Sequence, residues 1–215
     1  MRIVIAGGHG QIARQLSRRL SAAGHHPIAL LRNPDHCGDV REDGAEPVVL
    51  DLERGDVHRV EEILHGADAV VFAAGAGPKS GPERKLTLDR DGLILTADGM
   101  LAAGIRRLVV VSSIGADDFA SVDDDEFQTY LRAKSEGDAA VRERDLDWTI
   151  VRPGSLTDDD ASDAVEIAAS VKKGSVTRAD VAHVLHVLLE TGAGVHRTVE
   201  VVAGSHSVSE AVAAL

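Results

Sequence analysis

The stretch VIAGGHGQIA, residues 4–13, constrains this chain more than any other feature. A run of β-favouring and small residues enters a turn with three glycines, and a helix-like pattern leaves it. The turn fits Gly8-x-Gly10-x-x-Ala13 and, in a second register, Gly7-x-x-Gly10-x-x-Ala13. In a dinucleotide-binding turn each position has a physical task. One glycine lets the chain reverse sharply, Gly10 lets backbone approach a pyrophosphate, and Ala13 lets helix pack close to strand. The helix start, at Gln11 and Ile12, then presents free N–H groups to the anion. Steric need alone also produces glycine-rich turns. Placement directly after a first strand is what favours the cradle.

The rest of the chain repeats that strand-to-helix alternation. Expected strands are Ile3–Ala6, Pro27–Leu31, Pro47–Leu50, Ala69–Ala73, Leu108–Ser112, Thr149–Val151 and Thr198–Val202. Most are dense in Val and Ile on both faces, as buried parallel strands are. Helical spacing covers Gln11–Ala23, Val57–Leu64, Leu86–Ala103, Glu126–Arg144 and Arg178–Glu190. Gly24 and Gly104 sit where C-caps belong. The fold class implied is α/β: a Rossmann-type, doubly wound parallel sheet in three layers, built as a single domain over 1–215. A small elaboration around 154–177 should cover the ligand side of the sheet. The acidic stretches Asp117–Asp125 and Thr157–Asp163 read as solvated loops. Aromatics are only 2 % of the 215 residues, so Ala, Val, Leu and Ile must fill the core.

Charge and cysteine content narrow the partners. A net charge of −12 argues against nucleic acid or an anionic membrane as the main partner. A small-molecule substrate is expected instead, with the chain a monomer or homodimer. Cys37 has no second cysteine to pair with, which fits a reducing cytoplasm. No signal peptide and no membrane-spanning apolar run is expected.

The end of strand two bears on the cofactor. NAD sites usually carry an acid there for the ribose hydroxyl, but this strand ends Leu30-Leu31-Arg32-Asn33-Pro34. Arg32 suits a 2′-phosphate, with Arg14 assisting, so NADP(H) is preferred. Asp35 is near enough to keep NAD(H) possible.

Further motifs follow the strands: VVLDLE, FAAGAG, VVVSSIGAD, YLRAK and WTIVRPGSLTD. Together with the glycine turn they resemble the short-chain dehydrogenase/reductase superfamily over nearly the whole chain. The likeness is greatest to its atypical single-domain branch, the NmrA-like and flavin/biliverdin-reductase-like proteins. The resemblance implies that Asp51 and Leu52 flank the adenine. It also implies that Ala73, Ala74 and Gly75 line ribose and pyrophosphate, and that Pro153 lies near the nicotinamide. Arg152 and Ser155 would reach substrate or cofactor. Taken singly, Asp51 also suits a strand-end turn and Pro153 a loop proline.

The resemblance further implies a catalytic set. Tyr130 is the only tyrosine, and Lys134, four residues on, shares its helix face. An ammonium near a phenol stabilises the phenolate, and lysine can also bond the nicotinamide ribose. Ser113 is the first choice for orienting a substrate carbonyl, with Ser112 second and also placed near the cofactor. The implied activity is hydride transfer from NADPH to a small carbonyl, quinone or flavin-like acceptor. A nucleotide-sugar epimerase or dehydratase and a non-catalytic NADP(H)-binding sensor stand as alternatives. The short region after Gly154 argues against the epimerase. His9 in the turn suits a tolerated turn residue. Lys79 and Lys85 flank the loop after strand four as solvated lysines or anion attractors. Asp180, His183 and His186 share a helix face, read as ordinary surface rather than a metal site.

Overall fold

The computed structural model describes residues 1–77 and 80–215, so Lys79 lies outside the described residues. The first half runs β1 (Arg2–Ala6), α1 (Gln11–Ala22), β2 (His26–Leu31), α2 (Cys37–Glu42), β3 (Glu46–Val49), α3 (Val57–Leu64) and β4 (Ala69–Phe72). A short α4 (Pro82–Arg84) passes through a π-helical turn, Lys85–Arg90, into α5 (Asp91–Ala102). The second half runs β5 (Arg107–Val111), α6 (Asp125–Arg142), β6 (Asp147–Pro153), β7 (Ser155–Thr157), β8 (Ala164–Ala168), β9 (Ser175–Thr177), α7 (Arg178–Thr191), β10 (Arg197–Ala203), β11 (His206–Ser207) and α8 (Val208–Ala213).

Nine strands form the central sheet in the order β11-β8-β10-β6-β5-β4-β1-β2-β3. Seven of them, from β10 to β3, are mutually parallel, and the order reverses at β1 beside β4. In doubly wound sheets a ligand crevice opens at that switch, outside the carboxyl ends of the strands. The sheet departs from all-parallel at one edge, where β8 pairs antiparallel to both β10 and β11. The 154–177 segment is more deeply built in than a cover. Its strand β8 joins the main sheet, while β7 and β9 pair in a small sheet of their own.

Apolar residues bury both faces of the sheet. On one side Ile3, Ile5 and Val109 pack with Leu16 and Leu20 of α1 and Leu185 and Leu188 of α7. On the other, Val4, Val70 and Val110 pack with Val60 of α3, Met100 of α5 and Val141 of α6. Phe72 is the aromatic among the largest fully buried side chains. The helix expected over Leu86–Ala103 begins as the π-helical turn. That widened turn carries Lys85, Leu88 and Asp89 inward, where they are buried. The acidic stretch Asp117–Asp125 is largely exposed, as expected, although Ala116–Ser121 forms a 3-10 helix and Asp117 pairs with the buried Arg152. The expectation of helix surface fails at Asp180. Asp180 is fully buried in the first turn of α7, where its carboxylate accepts from the hydroxyls of Thr177 and Ser162 and from the backbone N–H of Ser162 and Asp163. Among the described residues no helix is long and apolar enough to cross a membrane.

Candidate dinucleotide and active-site cleft

The glycine turn answers two demands at once. Gly7 has φ of 79°, and a Cβ there would lie 2.5 Å from the Cα of Ala74. A Cβ on Gly8 would collide with Ala29 in β2. These two glycines are therefore required by the packing of the turn against β2 and the segment after β4. Gly10 is different. It has an ordinary extended backbone, caps α1 with no side chain, and α1 has no acid in its first turn. The helix start is left for an outside acceptor, which suits a pyrophosphate.

Two cavities meet along this turn. The first, about 310 Å³, is lined by Gly7 and Gly10, by Arg32 and Asn33 after β2, and by Asp51, Leu52 and Glu53 after β3. The second, about 480 Å³, is lined by Ile12, Ser112, Tyr130, Lys134, Asp89 and Lys85 among others. Ala73, Ala74 and Gly75 line both. A long ligand with a nucleotide at one end and a reactive group at the other fits that shape.

At the nucleotide end, Glu53 organises the charges. Its Oε2 accepts from Arg84 at 2.9 Å and from Arg32 at 3.3 Å, and its Oε1 accepts from Thr87 at 2.7 Å. Burial works against the Glu53 charge, but the Thr87 and Arg84 bonds and the nearby arginines hold its carboxyl below the ordinary range. Asp51 makes the strand-end turn, accepting from the N–H of Glu53 at 3.1 Å, and also faces the cavity. His9 and His36 stack with centroids 3.6 Å apart, and His9 meets Asp39 at 2.8 Å. Arg14, expected beside Arg32, is instead tied to Asp43, a buried acid that also holds Arg18.

At the other end, Tyr130 and Lys134 lie on the inner face of α6. The Lys134 ammonium is 5.8 Å from the Tyr130 ring centre, 3.1 Å from Asp89 Oδ1, and donates to the Val111 carbonyl at 3.1 Å. Burial opposes its charge. Asp89 and then Tyr130 outweigh that penalty, and the ammonium is held above its ordinary pKa. Asp89 also accepts from the N–H of Ala76 at 3.0 Å, linking the π-helical turn to the segment after β4.

Of the two serines, the fold turns Ser112 into the cavity. Its hydroxyl donates to Asp138 at 2.9 Å. Ser113 does not line either cavity, and its hydroxyl donates to the Ile114 carbonyl at 3.2 Å. Consecutive residues leaving a strand point to opposite sides, so only one of the pair can face the cleft. Arg152 does not reach the cleft either. It forks onto Asp117 at 2.7 and 2.8 Å and onto Asp138 at 2.8 and 3.0 Å. Burial raises the Asp138 carboxyl pKa, and Arg152 only partly offsets it. Gln11, Pro153 and Ser155 also stay outside both linings.

The comparisons with known proteins agree with this geometry. A family model described as NAD(P)H-binding matches residues 7–191. The chain belongs to this NAD(P)H-binding family. It is 33 % identical to the UPF0659 protein YMR090W of Saccharomyces cerevisiae, over 100 % of this chain and 99 % of that one. A solved Bacillus halodurans protein described as a "Putative NAD-dependent epimerase/dehydratase" is 35 % identical, with each chain fully covered (100 %) and a TM-score of 0.93. The oxidoreductase ylbE of Lactococcus lactis is 25 % identical, with 100 % of this chain and 96 % of that one covered and a TM-score of 0.87. Family and fold together are those of the atypical, single-domain NAD(P)-binding short-chain dehydrogenase/reductases.

Sequence reasoning missed several cleft residues of this family member. Asp89, Glu126, Phe127 and Leu156 line the larger cavity, and Glu53, Arg84 and His36 the smaller. Glu53 stands inside the quoted VVLDLE motif, and an acid one strand over from Arg32 was the available signal. Asp89 gave none, because a π-helical turn shifts it off the 3.6-residue face. Lys85 is only 4 % exposed and donates to Glu126 at 2.7 Å, so it is no solvated lysine.

Proposed function

We propose that this protein is an NADP(H)-dependent oxidoreductase acting on a small carbonyl, quinone or flavin-like acceptor. The observation that carries the reading is the meeting of Tyr130, Lys134 and Ser112 in a cavity continuous with the glycine turn. Gly7, Gly10, Ile12, Asp51, Leu52, Ala73, Ala74 and Gly75 would hold the dinucleotide, with the uncapped start of α1 under its pyrophosphate. Arg32 and Asn33, with no acid at the end of β2, favour a 2′-phosphate over a bare ribose. When bound, the cofactor supplies the hydride.

The chain's own residues do the rest. Tyr130 donates the proton that the acceptor oxygen takes up as it is reduced. Lys134, kept charged by Asp89, stabilises the phenolate left behind and can bond the nicotinamide ribose. The Ser112 hydroxyl gives its one proton to Asp138 in the free protein and would turn it to the acceptor oxygen when substrate binds, in the role expected of Ser113. Arg152 then keeps Asp138 satisfied.

Steady-state NADPH oxidation with a panel of carbonyls, quinones and flavins tests the proposal. Turnover should appear with at least one acceptor and fall about 100-fold or more in Tyr130→Phe with NADPH binding unchanged. Full activity in that variant would remove the proton donor from the scheme. Epimerase or dehydratase chemistry is the second reading, favoured by the description of the full-length Bacillus halodurans relative. The two differ in the assay, since an epimerase returns its cofactor to the starting redox state and leaves no net NADPH consumption.

A further inference from the structure

A second group of donor atoms lies near the amino ends of the strands, opposite the end where the cleft opens, and lines neither cavity. His25 occupies the turn between α1 and β2, and His186 and Glu190 are one turn apart near the end of α7. Helices α1 and α7 pack side by side, which brings the three together. His25 Nε2 is 3.2 Å from Glu190 Oε1, and His186 Nε2 is 3.3 Å from the same oxygen. One donor atom from each residue lies within 4.8 Å of the other two.

Those spacings are the ones a tetrahedral ion imposes. Zinc–nitrogen and zinc–oxygen bonds of about 2.0–2.1 Å place neighbouring ligands about 3.3 Å apart. The cluster also has an unexplained member. His186 Nε2 is buried and lacks a hydrogen-bond partner, because its approach to Glu190 is misaligned for one. Buried polar atoms in folded proteins are nearly always satisfied.

We propose that His25, His186 and Glu190 form a binding site for one divalent transition-metal ion of the zinc type. Two imidazoles and a carboxylate match the donor preference of Zn²⁺, with solvent completing the shell. This is not the helix-face motif considered from sequence. Of that set only His186 takes part, since Asp180 is buried among hydroxyls and His183 pairs with Asp163 at 2.8 Å. Coordination at His25 Nε2 leaves the ring proton on Nδ1. The ion clips the α1–β2 turn to α7. It takes no part in the redox chemistry.

Calorimetric titration of Zn²⁺ into the metal-free protein tests the site, with Co²⁺ absorption reporting its geometry. One site per chain is expected, with intense visible bands for low-coordinate Co²⁺. His186→Ala and Glu190→Gln should each weaken it at least about tenfold. His58→Ala removes an exposed His–Glu pair elsewhere, with atoms 3.5 Å apart, and should leave the site intact. Unchanged NADPH binding and circular dichroism in the His186 and Glu190 variants exclude loss of fold as the cause. Absent binding, binding undiminished by His186→Ala, or equal loss in His58→Ala would each overturn the proposal.

Discussion

The two ends of the cleft hold their charges in opposite ways. Around Tyr130 the ions are inside the protein: Lys134 and Asp89 are 5 % and 0 % exposed and pair at 3.1 Å. Asp138, also fully buried, is shared between Arg152 and Ser112. Around Arg32 the ions stand at the rim, where the arginine side chain is 53 % exposed and shares one Glu53 oxygen with Arg84. Water can replace a partner at the rim but not in the interior. The reactive end should therefore be rigid and intolerant of change, and the nucleotide end tunable.

Lys134→Met presses this contrast hardest. It strands the Asp89 carboxylate in the interior, so stability in urea should fall by about 3–5 kcal/mol. Adding Asp89→Asn should recover part of that loss. A cost below about 1 kcal/mol would place the pair with the rim charges instead. Turnover loss in Tyr130→Phe, with stability nearly unchanged, separates chemistry from scaffolding within the same end.

Effects at the nucleotide end should be smaller and confined to binding. Arg32→Ala should weaken NADPH by about 10–100-fold, as loss of a charge-assisted bond would, while NADH moves less than about twofold. Equal losses for both cofactors would take Arg32 off the 2′-phosphate. The smallest effect belongs to Glu53→Gln. Removing a negative charge beside Arg32 should tighten NADPH by about threefold, a rim-sized effect, in the same titrations. If NADH weakened instead, Glu53 would be the ribose acid that β2 itself lacks.

The legibility of the chain follows the same physical divide. Seven main strands and the five long helices show in the spacing of apolar residues to within a few positions at their ends. Burial of whole faces leaves a repeated mark. The elements β7, β9 and β11 escaped because two or three residues are too few to display a period, and β8, as long as β1, escaped because the exposed Glu166 breaks its apolar run. The antiparallel edge escaped with them, since β8 finds its place only by pairing with β10.

Local sequence alone determined the glycine turn and the Tyr130–Lys134 face. Each depends on residues a few positions apart, where backbone geometry dictates who stands beside whom. Tertiary structure decided which serine faces the cavity and gave Lys134 its partner in Asp89. It set Glu53 against Arg32, bound Arg152 away from the cleft, and brought His25 to α7. Those choices join residues from 14 to 165 positions apart, and one, Ser112 over Ser113, turns on which way a strand's last residues point. No local pattern carries that information, because the free energy that selects such partners comes from burying them together.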